Sequence, residues 1–466
     1  MNIKIKPGAA ATIFITALFG FATQVYSQDS TPSPTSAREA VATSAKSAEK
    51  NAPQNAAASP DSSPESDFVT REELTGDWGG ARSRLKAKGV ELEFKLTQFV
   101  QGVTSGGIRH DDEYNGKFQT VAKFDLGKFA GWKYWYAEIR TETRFGGPLL
   151  GGTGTINPTN TAEMIPAAAG NIFAVTAVNF TRLIPLDLKQ GNLLAISFGR
   201  YNLVDLADED FFGGGGTERF FNIAPIGPLT VLRQVPLITN AATVAYIRHG
   251  EPFFTFAVMD TNDHSTTTGI PDLFKDGVTF SPGINFSKKY FGRSAKHSFG
   301  GAITTKAYTP FDAIRQVILP GPPLNPVQPK RGSWSVNYVF RQYIVERGKR
   351  DGWGFFSQVS FADKATSPIT TFFNAGLGGN GLFKRRRGDE FGISYAYTDL
   401  SEVLKDNLNL IIQGGRLPRP EHQVEMFYNL HITPWLRLTA DLQVIRPTRP
   451  IANTTVIPGA RLEMIF

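Results

Sequence analysis

The chain has 466 residues, 41% apolar and 12% aromatic, with 46 Gly, 36 Phe and no Cys. The missing cysteine excludes disulfides, thiolate metal sites, a thiol nucleophile and a lipidated N-terminal Cys, and the aromatic content excludes wholesale disorder. The first 66 residues carry as many acids as bases, so the net charge of +7 belongs to the remainder, where both signs are mixed and no basic stripe points to nucleic acid.

Lys4 and Lys6 precede an uncharged run whose apolar centre is short, and Val25 and Ser27 are small enough for a cleavage site before Gln28. Residues 1–27 are therefore expected to be a signal peptide that takes the protein out of the cytoplasm. In residues 28–66, Ala, Ser and Pro make up 23 of 39 positions. Such a stretch buries too little surface to offset chain entropy and reads as a flexible linker. Residues 67–90 are expected to hold a short periplasmic helix that starts at Trp78, is capped by Asp77 and is ended by a left-handed Gly89. Its face of Arg82, Leu85 and Lys86 should dock at the periplasmic mouth, with Trp78 and Leu85 as anchors.

From residue 91 to 466 the dominant signal is period-two alternation. Trp135, Ala137, Ile139 and Thr141 alternate with Tyr136, Glu138, Arg140 and Glu142, and Trp334, Val336, Tyr338 and Phe340 alternate with Ser335, Asn337 and Arg341. Sixteen candidate strands fall near residues 91–100, 116–125, 133–144, 172–182, 193–201, 235–247, 253–260 and 278–287. The others fall near 298–308, 334–345, 354–362, 371–378, 388–397, 423–431, 436–445 and 456–466. Their joints mostly alternate between short and long, although 363–370 and 446–455 are short where the scheme asks for long. This is the asymmetry of an all-β, transmembrane, antiparallel up-and-down β-barrel of about 16 strands. Apolar faces meet lipid, polar faces line water, and closure leaves no unpaired backbone edge. On this reading the phenylalanines belong mainly to lipid-facing and girdle positions.

Three segments carry a family resemblance. Residues 74–89 read LTGDWGGARSRLKAKG, residues 372–400 contain GLFKRRRGDEFGISYAY, and the C-terminal stretch contains HITPWLRLTADLQVIRP and then GARLEMIF. These resemble the carbohydrate-selective porins of the OprB family, and the terminal Phe466 is similar to the closing aromatic of outer-membrane barrels. The resemblance implies a multi-pass barrel in the bacterial outer membrane that admits glucose-like monosaccharides or polyols by passive diffusion. It also implies that the third external loop, the longest connection (residues 202–234), folds inward as a constriction.

That loop offers Asp205, Asp208, Glu209 and Asp210 for sugar hydroxyls, aromatics for pyranose faces, and four consecutive glycines for tight folding. Strands three to five offer Glu138, Arg140, Glu142, Arg144, Arg182 and Arg200 as a ladder of forked donors and matching acceptors. These ten residues are the expected pore lining. The expected partners are a small carbohydrate, outer-membrane lipid and lipopolysaccharide, with a homo-oligomer left open. No catalytic residue, cofactor or metal is expected: the six histidines lack ligand spacing, no G-x-S-x-G elbow is present, and the G-x-G-x-x-G at residues 376–381 lacks the following helix. The competing readings are a barrel of the same fold for anions, organic acids or general polar solutes, a barrel hydrolase, and a cell-wall tether.

Overall fold

A computed structural model describes residues 68–466 except 148–150, 168–169, 205–209, 319–326 and 413–417. The expected signal peptide and linker lie outside the described residues. The long strands, in chain order, are β1 (Val90–Gly102), β2 (Asp112–Asp125), β3 (Trp135–Gly146), β4 (Ile172–Asp187), β5 (Asn192–Asn202), β6 (Ile238–Arg248), β7 (Glu251–Asp260) and β8 (Val278–Tyr290). They continue as β9 (Arg293–Tyr308), β10 (Lys330–Gly348), β11 (Asp351–Ala362), β12 (Ile369–Asn380), β13 (Glu390–Leu400), β14 (Glu421–Thr433), β15 (Leu436–Arg446) and β16 (Asn453–Ile465). Each pairs antiparallel with its neighbour, and β16 returns to β1 with Gln98 opposite Leu462, so the sheet closes without an edge. A three-residue strand, Ser105–Gly107, adds a further pairing to β16.

The alternation has the expected sense. In β10, Ser333, Ser335 and Asn337 are buried inward, whereas Trp334 and Val336 stand exposed on the outside. Short turns join the strands on one rim. Two of them, His249–Gly250 and Phe291–Gly292, place both residues at positive φ, the geometry that matches the twist of the flanking strands. The joints at 363–368 and 447–452 are short on the opposite rim, as the spacing required.

The N-terminal helix differs in extent and place from the expectation. α1 runs only from Ala81 to Ala87. Asp77 still serves it, accepting from the N–H of Ser83 at 2.8 Å and its hydroxyl at 2.9 Å, and Gly89 is left-handed at φ +86°. Trp78 precedes the helix and packs on Phe94 at 6.1 Å, on the outward face of β1. Arg82 lies over the Trp78 ring at 4.4 Å and donates to the main-chain oxygen of Phe466 at 2.8 Å. Leu74 N–H binds the carbonyl of Ile465 at 2.7 Å. The segment thus braces the β1–β16 seam at the short-turn rim. It joins the end of the chain to its beginning rather than filling the mouth.

The interior gives phenylalanine a second place beside the outward positions. Nine phenylalanines are buried among the described residues, including Phe99, Phe211, Phe212, Phe220, Phe221, Phe356 and Phe427. All but Phe311, which packs with Ile314, Leu404 and Leu408 of two long connections, belong to a core inside the barrel that entering loops help to build.

Candidate functional site: a loop-filled lumen

Between β5 and β6, the described residues of 203–237 run inside the barrel. Phe211 meets Tyr343 at 4.7 Å, Phe212 meets Phe356 at 4.8 Å, Phe220 meets Phe427 at 4.8 Å, and Phe221 meets Phe99 at 5.5 Å. Each partner is an inward side chain of a strand well separated around the ring from β5 and β6. Gly213, Gly214, Gly215 and Gly216 all have positive φ. That turn needs glycine on steric grounds too, since a Cβ on Gly216 would stand 2.7 Å from the backbone nitrogen of Ala162.

Wall groups hold the loop by its backbone. Glu425 accepts from the N–H of Phe221 at 2.5 Å and of Asn222 at 3.2 Å. Arg461 donates to the carbonyls of Gly216, Arg219 and Glu218 at 2.9, 2.9 and 2.5 Å. Gln358 donates to the carbonyl of Pro225 at 3.0 Å. The descending part reaches the short-turn rim, where Asp210 pairs with Arg341 at 2.8 Å and Arg350 at 3.1 Å and accepts from the Tyr343 hydroxyl at 2.9 Å. Burial pushes the Asp210 carboxyl up, but Arg341, Arg350 and the Tyr343 hydroxyl outweigh it and hold it at about 2.

The described part of a second loop, residues 147–171, also turns inward, and the spacing of strands gave no sign of it. Glu421 accepts from the N–H groups of Ile156 at 2.9 Å and Asn157 at 3.1 Å, and Gln443 donates to the carbonyl of Thr159 at 2.9 Å. Ile156, Met164 and Ile165 join Ile223, Val231 and Leu232 of the first loop in one apolar cluster. The signal available was composition: between residues 153 and 161 the loop is rich in Thr and Asn, neutral side chains that satisfy both wall and backbone.

The wall ladder divides into two parts. Glu142 is fully buried, accepting from Gln119 at 2.9 Å and Asn202 at 3.3 Å and pairing with Lys117 at 3.4 Å. Arg144 donates to backbone carbonyls of Glu163 and Gly170. These two hold structure. Glu138 is buried and pairs at 3.7 Å with Arg140, which keeps part of its surface open.

Two expected lining residues are not in the lumen. Arg182 lies between the buried Thr181 and Leu183, so it faces outward, where its guanidinium sits 5.6 Å from the Trp135 ring. Arg200 likewise faces outward beside the inward Tyr201 and donates to the carbonyl of Thr267 at 2.5 Å. A guanidinium on a long stem can cover an apolar outer wall while its head finds polar partners, here the carbonyls of Lys133 and Thr267. Asp205, Asp208 and Glu209 lie outside the described residues.

Residues not singled out from sequence complete the lumen. Lys95 pairs with Glu218 at 3.3 Å, Arg437 with Glu463 at 3.1 Å, and Arg219 with Glu390 at 3.6 Å. Glu218 on the loop is pushed up by burial, but Lys95, Arg219 and Arg437 prevail and hold it at about 2. Glu163, on the second loop, is 2% exposed, and neither carboxylate oxygen has a hydrogen-bond partner among the described residues. Burial raises it to about 8, against the pull of Lys117 and Arg144. It is therefore neutral at pH 6 and ionised at pH 9.5, adding a negative charge to the lumen as pH rises through about 8. Reversal potentials under a salt gradient should shift toward cation selectivity across that interval, and Glu163→Gln should abolish the shift. A shift that persists in the variant would assign it to another group.

Comparison with known proteins agrees with this architecture. Residues 109–464 match the family described as "Carbohydrate-selective porin, OprB family". Porin B of Pseudomonas aeruginosa is 23% identical over 432 residues, covering 84% of this chain and 91% of that protein. The structure of Pseudomonas putida OprB at high pH superposes with a TM-score of 0.72 at 20% identity, covering 86% of this chain and all of the other; its low-pH structure gives 0.52 at 17%. With its closed barrel and the family match over most of its length, the chain belongs to the carbohydrate-selective porin, OprB family.

Proposed function

We propose that this outer-membrane porin conducts small neutral carbohydrates, glucose-like monosaccharides or polyols, down their gradient through the passage left between the two inner loops and the wall. The observation that carries the choice of a neutral solute is the pairing of charge. Arg140 has Glu138, Arg341 has Asp210, Arg219 has Glu390, and Arg437 has Glu463, each within 4 Å. Paired guanidinium and carboxylate groups present fixed donors and acceptors to vicinal hydroxyls while offering an anion little net attraction. Such contacts exchange water for sugar hydroxyls at nearly equal free energy, so binding stays weak enough to release. The pathway needs no energy source.

Arg140→Ala tests this directly. In planar bilayers the variant should weaken current block by glucose about three- to tenfold, the net contribution of one hydrogen bond in a site where water competes. It should also favour cations, because Glu138 loses a partner. Unchanged block would remove Arg140 from the pathway.

A further inference from the structure

The turn between β12 and β13, residues 381–389, equals 126–134 as the longest on the short-turn rim, and the sugar pathway does not use it. It carries Leu382, Phe383 and four consecutive bases, Lys384 to Arg387. It is a built turn. Phe383 and Arg386 form a β-bridge, and Arg386 makes a bidentate pair with Asp389, both bonds at 2.8 Å. Arg386 also donates to the carbonyl of His431 at 2.8 Å. Asp389 in turn accepts from the Tyr428 hydroxyl at 2.6 Å. The neighbouring turn buttresses the base: Arg347 donates to the carbonyl of Asn380 at 2.8 Å and is itself paired with Asp351.

The nearby acids are thus engaged, and Lys384, Arg385 and Arg387 remain exposed with no ion pair among the described residues. The apolar part of the turn leans to the outside of the barrel. Phe383 is 57% and Leu382 46% exposed. Phe383 lies 6.1 Å from Tyr428, which faces outward between the buried Phe427 and Asn429. Trp353 and Phe391, also outward, lie 6.2 Å apart on the same rim. Aromatics at the hydrocarbon boundary with exposed cations just beyond them match the layering of a lipid, acyl chain first and phosphate next.

We propose that this turn is a binding site for an anionic phospholipid of the periplasmic leaflet, with Lys384, Arg385 and Arg387 on the phosphate and Leu382 and Phe383 against the acyl region. The inference depends on the barrel standing in the membrane and is independent of the solute it conducts. A cell-wall polymer would use the same cations but would leave the two outward apolar side chains without a role.

The test is native mass spectrometry of the full chain released from nanodiscs of phosphatidylglycerol and phosphatidylcholine in equal amounts. Retained phosphatidylglycerol should exceed phosphatidylcholine by at least about tenfold. The triple variant Lys384→Ala, Arg385→Ala, Arg387→Ala should lose that preference, and the charge-preserving Lys384→Arg, Arg385→Lys, Arg387→Lys should keep it. Equal retention of both lipids by the unaltered chain, or undiminished preference in the alanine variant, would overturn the proposal. So would loss of co-sedimentation with purified peptidoglycan in the alanine variant while its lipid preference stayed intact.

Discussion

Arg461→Met should raise single-channel conductance at least about twofold and abolish sugar block while the barrel stays folded. Arg461 is 1% exposed on β16, and its guanidinium gives the loop three of its backbone anchors and stacks 4.8 Å from Phe221. Hydrogen bonds from a charged donor contribute roughly 1.5–3 kcal/mol each. Methionine keeps most of the bulk and none of the donors, so three buried carbonyls must turn to water. The β16 ladder to β1 and β15 does not pass through this side chain. The loss therefore appears as local opening of residues 210–221 and not as global unfolding. Amide exchange of the loop should accelerate, and heat-resistant migration of the barrel in detergent gels should persist. Conductance and block unchanged from the parent would show that the aromatic contacts alone keep the loop in place.

Glu421→Ala should have a separable effect of similar size on the second loop. Glu421 is fully buried at the start of β14 and accepts from Ile156, Asn157 and Thr448 N–H groups at 2.9, 3.1 and 3.2 Å. Alanine leaves three buried donors without an acceptor, each worth about 1–3 kcal/mol. Loop 147–171 should then open toward the outside, and proteolysis of intact proteoliposomes should cut there first. Because Glu163 rides on the same loop, the pH-dependent selectivity shift should disappear as well. Combining the two variants should give close to additive increases in conductance if the loops are held independently, whereas the shared cluster of Ile156 and Ile223 favours coupling. A double variant no more conductive than Arg461→Met would show that loop 147–171 follows the first loop.

All sixteen spans were legible because alternation and joint length are written in the chain. Even the two short joints near 363–370 and 446–455 came out where the count placed them. Facing was less legible. Arg182 follows Phe180 on one face and Arg200 follows Ile196 and Phe198, so their apolar companions already pointed outward. Charge alone suggested the lumen, although at a membrane boundary an arginine belongs to either side. The bulge opposite Arg140–Thr141 adds one residue and breaks parity within β4, which blurred the assignment further. The interior clamp could not be read at all. Arg461 and Glu425 look like ordinary wall residues, and their role depends on backbone groups more than 200 positions away. Phe211, Phe212, Phe220 and Phe221 were visible as a pattern, yet only the glycines between them hinted that they would face one another's neighbours across a lumen.

Osmotic swelling of proteoliposomes tests the central claim most directly. Vesicles holding the full-length chain are diluted into isotonic glucose and, in parallel, into isotonic sodium gluconate, an anion of nearly the same size. The paired charges of the lumen predict rapid swelling in glucose and markedly slower swelling in gluconate. Equal rates, faster entry of gluconate, or no swelling in either solute would contradict a carbohydrate-selective passage.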